Sequence, residues 1–325
     1  MSDLALLLLV GCVSVAGTWA ARAYALRRRL VDQPGERRSH AVATPRGGGA
    51  GPVAAILVGL ALLASDSSSY AGASLAIGAV AVIGGWDDHR PLPVRWRLLV
   101  HLAAGVVLAA ALGLRGDLLT AAIAIAAVAV LVNVWNFMDG INGIAATQAA
   151  LVAIFAGLLV PLPMPAFVVA VACLGFVPFN FPKARIFLGD VGSGALGVAL
   201  AFLLVDAYRG ERVDAVRLLL PLSAFLVDAG LTLLRRMLRG ERWWEAHVQH
   251  LYQALARRYG HVRVTAGYAA HTTAAGALAL GLPDGRPGFI MTVVAGWYAA
   301  GIASWLYAQR RLDDRRDARR TYKDR

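Results

Sequence analysis

Charge-free apolar runs, many of them near membrane-spanning length, recur along this chain from end to end. They cover residues 4–21, 47–65, 67–86, 98–114, 118–138, 140–182, 191–205, 264–283 and 287–309. About 20 apolar residues cross a bilayer core as a helix, and a segment there must satisfy its own backbone polar groups. The stretch 140–182 is too long for one crossing, and Pro161-Leu162-Pro163-Met164-Pro165 supplies a turn that divides it. A further run, about 216–234, is interrupted only by Asp228. The expectation is an all-α polytopic membrane protein with about eleven transmembrane helices. Hydrophobic residues at 58% and charged residues at 16% agree, since a soluble domain carries about a quarter charged residues. An ordinary cytosolic enzyme, a secreted disulfide scaffold and a disordered tail protein are excluded. Cys12 and Cys173 lie deep in apolar runs without metal-site spacing and read as small packing residues.

Placement of charge predicts orientation. With helices alternating sides, residues 27–46, 87–97, 183–190, 235–263 and 310–325 share one face and hold 26 of the 32 Lys/Arg. The positive-inside rule puts that face in the cytoplasm, with the N-terminus periplasmic and the C-terminus cytoplasmic. The net charge of +12 then reflects topology and anionic lipid, with no nucleic acid needed. The first run lacks a basic stretch before it and is followed by its positive charges, so it reads as a retained anchor helix. Residues 1–309 form one transmembrane domain and 310–325 a basic cytoplasmic tail. That tail could lie on lipid or dock a partner.

Polar motifs gather on the cytoplasmic face. Asp87 and Asp88 end the third helix, and adjacent carboxylates repel unless a proton or cation is shared. Arg95 and Arg97 face them at the start of the next helix, an arrangement suited to phosphate and metal; a solvated loop start is the bland alternative. Asn133, Asn136 and Asp139 recur every three residues along one helical face, before Gly140, Asn142 and Gly143. These glycines would let backbone approach a ligand, or merely form a cap and turn. Asn180, Lys183, Arg185 and Gly189-Asp190-Val191-Gly192-Ser193 place an acid beside backbone N–H groups, as a metal-bridged pyrophosphate requires, or as a helix cap does. No Walker loop is present. His247 and His250 follow Trp243 and Trp244 in the longest cytoplasmic segment. They suit sugar or phosphate hydrogen bonding more than zinc, while an interfacial amphipathic helix anchored by the tryptophans is the alternative. Arg37-Arg38-Ser39-His40 and Arg46-Gly47-Gly48-Gly49 close the first cytoplasmic segment. Asp228, about 10 Å of helix inside the boundary at Arg235, is expected to pair with an Arg or Lys near the site.

These motifs, in this order from Arg37 to Tyr252, resemble the polyprenyl-phosphate N-acetylhexosaminyl-1-phosphate transferases, glycosyltransferase family 4. The resemblance implies an inner-membrane enzyme that transfers a HexNAc-1-phosphate from a UDP-sugar to undecaprenyl phosphate, releasing UMP with Mg²⁺, or Mn²⁺ in its place. By resemblance Asp87 and Asp88 are catalytic, deprotonating or positioning the lipid phosphate. Asp190 and Asn136 would be metal ligands, and Asp139 and Asn142 would serve the uridine. Arg46, Arg97, Lys183, His247 and His250 would bind substrate. Arg97 stands where the family usually has lysine, exchanging a point donor for a planar fork. His101 replaces a common glutamine. Tyr252 interrupts the histidine run of the pentapeptide-sugar branch, which favours a branch initiating O-antigen or another surface polysaccharide. Expected partners are undecaprenyl phosphate, UDP-N-acetylhexosamine and membrane lipid, with a homodimer as a further arrangement. The competing classes are a sugar transporter, which would want polar groups near the bilayer midplane, and a scaffold, which would need no Asp pair.

Overall fold

The computed structural model describes residues 1–33, 42–65, 67–160, 163–210, 212–242, 245 and 247–323, with backbone alone at 115 and beyond 313. Arg37, Arg38, Ser39, His40, Trp243 and Trp244 lie outside the described residues. Among those described, the chain is helical apart from a two-residue antiparallel ladder, Val31–Asp32 with Thr44–Pro45. The helices are α1 (Asp3–Arg28), α2 (Ala50–Leu62), α3 (Ser68–His89), α4 (Val94–Ala111), α5 (Leu118–Met138) and α6 (Ile144–Leu159). They continue with α7 (Met164–Asn180), α8 (Asp190–Gly210), α9 (Arg212–Leu238), α10 (Leu251–Tyr259), α11 (His261–Gly281) and α12 (Pro287–Lys323).

Eleven of these coincide with the eleven expected runs, and α10 is an added short helix inside the 235–263 segment. Seven helices are long and apolar enough to cross a membrane: α1, α3, α4, α5, α8, α9 and the first part of α12. α2, α6 and α7 are apolar but shorter, and α11 has the length yet carries Arg263, His271 and three threonines. α12 runs unbroken from Pro287 into the basic tail, as far as Lys323.

α8 is the axis of the bundle. It begins Asp-Val-Gly-Ser-Gly-Ala and buries most of its length, with α3 and α5 packed along it. Between helices in lipid there is little hydrophobic gain, so small residues that admit close backbone contact decide the packing. A Cβ on Gly197 would lie 2.5 Å from the Val132 Cα of α5, and one on Gly192 would lie 2.7 Å from the Gly49 Cα. Cys173 is buried as expected, whereas Cys12 is exposed on the outer face of α1, because only one stripe of that helix meets α2 and α7.

Candidate active site

The C-terminal ends of α3 and α5, the N-terminal ends of α4 and α8, and segments 44–49 and 247–250 meet at one end of the bundle. Segment 44–49 reaches it through backbone bonds: the Phe187 amide donates to the Pro45 carbonyl at 2.8 Å, and the Gly48 and Gly49 amides donate to the carbonyls of Phe187 and Leu188. This lays Arg46 against the end of α3, where its guanidinium donates to the Asp88 carbonyl.

Asp87 and Asp88 divide their work. Asp87 accepts the Leu92 amide at 2.5 Å through one oxygen and Arg97 Nη1 at 3.0 Å through the other. The same Nη1 reaches Asp190 Oδ2 at 3.2 Å, so one guanidinium bridges the two carboxylates. On the far side Asn136 Nδ2 donates to Asp190 Oδ1 at 2.8 Å and approaches Ser193 Oγ at 3.3 Å. Asp88 is buried instead, and its two oxygens accept the amides of Asp190 and Val191, each at 3.1 Å. It therefore caps the N-terminus of α8 and fixes where Asp190 stands. The backbone N–H groups expected to be free beside Asp190 are engaged. Besides the two held by Asp88, those of Gly192 and Ser193 donate to the Gly189 carbonyl. Gly189 allows this turn with φ of 76°. Gly84 lets α3 lie directly on the start of α8, since a Cβ there would overlap the Asp190 carbonyl.

Asp139 follows α5 and lies near this group, without a hydrogen-bond donor among the described residues. Burial pushes its carboxyl up to about 8, and the negative charges of Asp190 and Asp88 add to the shift. The pocket thus has a surplus of negative potential. No three His, Cys, Asp or Glu side chains among the described residues are spaced to cage a metal. Asp87, Asp190 and the Asn136 amide offer hard oxygen donors alone. That set fits Mg²⁺, which keeps several waters and takes one or two carboxylates together with substrate phosphates.

The glycines after Asp139 serve the protein's own packing. Gly140 lies under the Tyr252 hydroxyl, and Gly143 under Phe181, so neither leaves backbone open to a ligand as the sequence suggested. The Gly143 amide donates to Asn180 Oδ1 at 2.5 Å, and Asn180 Nδ2 donates to the Ile186 carbonyl at 2.8 Å. Asn180 ties the second motif to the third, a role with no local sequence signal. Asn142 is likewise engaged, its Nδ2 donating to the Pro182 carbonyl and its carbonyl accepting Thr265 Oγ1 at 2.8 Å. Lys183 is exposed, one residue beyond that contact.

His247 and His250 stack on each other with ring centroids 4.8 Å apart, and both lie against Phe137 of α5, at 6.5 and 6.1 Å. The histidine segment thus sits one residue from Asn136. His250 is buried, its Nδ1 lacks a partner among the described residues, and burial lowers its pKa below the ordinary imidazole value. Tyr252 donates its hydroxyl to the Phe137 carbonyl at 2.9 Å. Asp228 departs from expectation, for its described partners are neutral donors and not Arg or Lys. It accepts the amides of Leu251 and Tyr252, the Tyr268 hydroxyl, Trp305 Nε1 and Thr232 Oγ1. A carboxylate at the start of α10 satisfies two open helix amides at once, and here it also joins α9, α11 and α12.

Comparison with known proteins accords with this geometry. The model for glycosyl transferase family 4 matches residues 70–208, which hold Asp87, Asp88, Arg97, Asn136, Asp139 and Asp190. A decaprenyl-phosphate N-acetylglucosaminephosphotransferase of Mycobacterium tuberculosis is 30% identical over 81% of this chain and 78% of its own length. The chain belongs to glycosyl transferase family 4. A probable undecaprenyl-phosphate N-acetylglucosaminyl 1-phosphate transferase of Bacillus subtilis is 25% identical over 71% of each chain. A phospho-N-acetylmuramoyl-pentapeptide-transferase of Moorella thermoacetica is 33% identical over 52% of this chain and 63% of its own.

Proposed function

We propose that this chain transfers a HexNAc-1-phosphate from a UDP-sugar to undecaprenyl phosphate at the cytoplasmic face of the bacterial inner membrane, releasing UMP and initiating a surface polysaccharide such as O-antigen. The observation that carries the reading is the Asp87–Arg97–Asp190–Asn136 network at the end of the bundle. Arg97 there offers a fixed cation for phosphate, and the carboxylates and the Asn136 amide offer oxygen ligands for a metal, beside a stacked histidine pair. The relatives' names point to the same reaction class, and eleven crossings with the N-terminus outside would bring this end to the cytoplasm.

In this reading Arg97 and Arg46 draw the lipid phosphate to Asp87, which orients it and takes any residual proton. A phosphate whose second pKa is near 6 is already mostly ionised at pH 7, so orientation outweighs base catalysis. A lipid phosphate oxygen bonds to the β-phosphorus of the donor, and the bond from that phosphorus to the oxygen of UMP breaks. Asp190 and Asn136 would hold Mg²⁺, which when bound neutralises charge on the pyrophosphate and the departing UMP. Asp88 keeps Asp190 in register by capping α8. His247, backed by His250 and Phe137, would contact the sugar and pyrophosphate, and Asp139, Asn142 and Lys183 would serve the uridine. A route through a phosphoryl-aspartate would instead exchange labelled UMP into UDP-sugar without lipid, an exchange expected to be absent.

The test is UMP release by the purified protein with undecaprenyl phosphate, Mg²⁺ and a panel of UDP-HexNAc donors, including UDP-MurNAc-pentapeptide. Release that needs lipid, metal and Asp190, and is lost in Asp190→Ala, is the expected result. Release with the pentapeptide donor alone would move the chain to the peptidoglycan branch. None with any donor would leave transport as the competing reading.

A further inference from the structure

A cavity of about 670 Å³ opens between α9, α10, α11 and α12, outside the transferase site. This is the size of a small-ligand pocket, and such pockets are typically apolar with a few convergent polar groups. Its walls are apolar over most of their extent, with Arg263 at the end nearest the α10–α11 junction. Arg263 is exposed and has no described acidic partner. At the other end Ser223, His271 and Trp297 satisfy one another, with Trp297 Nε1 donating to Ser223 Oγ at 2.9 Å and His271 Nε2 3.2 Å from the same oxygen. One guanidinium above an apolar shaft matches a molecule with one anionic head and a hydrocarbon chain.

The wall between this cavity and the histidine segment is the Asp228 assembly. Asp228, Tyr268, Trp305 and Leu251 all line the cavity, and Asp228 holds the first amides of α10. We propose that the cavity binds an anionic phospholipid, one acyl chain in the shaft and its phosphate on Arg263, and that the bound lipid braces the Asp228 frame holding the His247–His250 segment. The acceptor lipid is a different occupant with similar chemistry. Asp87, Asp190 and Asn136 do not line this cavity, so a phosphate on Arg263 is not presented to them.

Two glycines in the walls allow a clean test. A Cβ on Gly267 meets nothing within 4 Å, and one on Gly301 meets Val227 at ordinary contact distance of 3.6 Å. Gly267→Phe and Gly301→Leu therefore direct bulk into the shaft from α11 and α12, each from a position with room for its Cβ. The full-length protein would be placed in nanodiscs of phosphatidylcholine with or without phosphatidylglycerol, and retained lipid counted by native mass spectrometry. Wild type is expected to keep one phosphatidylglycerol about tenfold more tightly than phosphatidylcholine. Arg263→Gln should lose the preference, and both filling variants should lose the lipid while melting as wild type does in phosphatidylcholine alone. Hydrogen exchange at the Leu251 and Tyr252 amides should slow with phosphatidylglycerol in wild type and not in Gly267→Phe. Equal retention in wild type and both filling variants overturns the site. So does preferential capture of undecaprenyl phosphate, or a change in dimerisation with no bound lipid. Exchange at those amides that ignores the lipid overturns the bracing. None of these readouts depends on transferase activity.

Discussion

Successive side chains on a helix point about 100° apart, and that rotation separates Asp87 from Asp88. One looks toward Arg97 and Asp190, while the other is buried against the first amides of α8. Asp87→Asn should lose turnover with the melting temperature kept. Asp88→Ala should also lose stability, by about 0.5–2 kcal/mol as for other lost helix caps. Thermal unfolding alongside kcat distinguishes them, and equal melting losses in both would contradict the division. Asp139 makes a pH-dependent prediction. Its folded carboxyl titrates near 8, above the ordinary 3.8, so folding favours the protonated form. The native state is unpenalised below the ordinary value and loses stability as pH rises through about 8. With divalent cations chelated, Asp139→Asn should therefore gain stability over wild type between pH 5 and pH 9, measured by melting temperature. A constant difference would contradict the shift. The acids themselves were legible in the sequence, because carboxylates at the ends of apolar helices are few. Their division of labour was not, because Asp88 is committed by amides more than a hundred residues away in the chain.

Helix α8 shows what element-scale reading captures and misses. The Gly189-Asp190-Val191-Gly192-Ser193 segment marks a helix start from sequence alone, and the structure starts the helix at Asp190. The neighbours show what the glycines do for packing: Gly84, Gly49 and Gly192 admit α3 and the start of α2 to α8 by direct backbone contact. Gly84→Ala should push α3 off α8 at a cost of about 1–3 kcal/mol, as overpacking does, and lower kcat by moving Asp87 from Asp190. A variant with wild-type melting and turnover would contradict that contact. In the sequence Tyr252 marks only an interruption of a histidine run, yet it pins the segment to α5 through the Phe137 carbonyl. Tyr252→Phe should cost about 0.5–1.5 kcal/mol, the net worth of one buried hydrogen bond, seen as a lower melting temperature.

Across the whole molecule, the eleven apolar runs each became a helix, because hydrocarbon leaves a backbone segment few other ways to satisfy itself. α10 carries no span signal because nine residues, Leu251–Tyr259, are too few to register, although it begins directly after His250 and its first amides anchor on Asp228. The association of motifs distant in the chain was legible only in outline, as a shared face; the bonds that join them, Asn180 to Gly143 across 37 residues and Arg97 to Asp190 across 93, come from packing. The most direct test of the account follows a label in the β-phosphate of a UDP-HexNAc through one turnover with undecaprenyl phosphate. The label should pass into the organic-soluble lipid with an equal amount of UMP released, and Asp87→Asn should abolish both. Label that stays in water as free sugar phosphate while UMP accumulates would contradict transfer to lipid at the Asp87–Asp190 site.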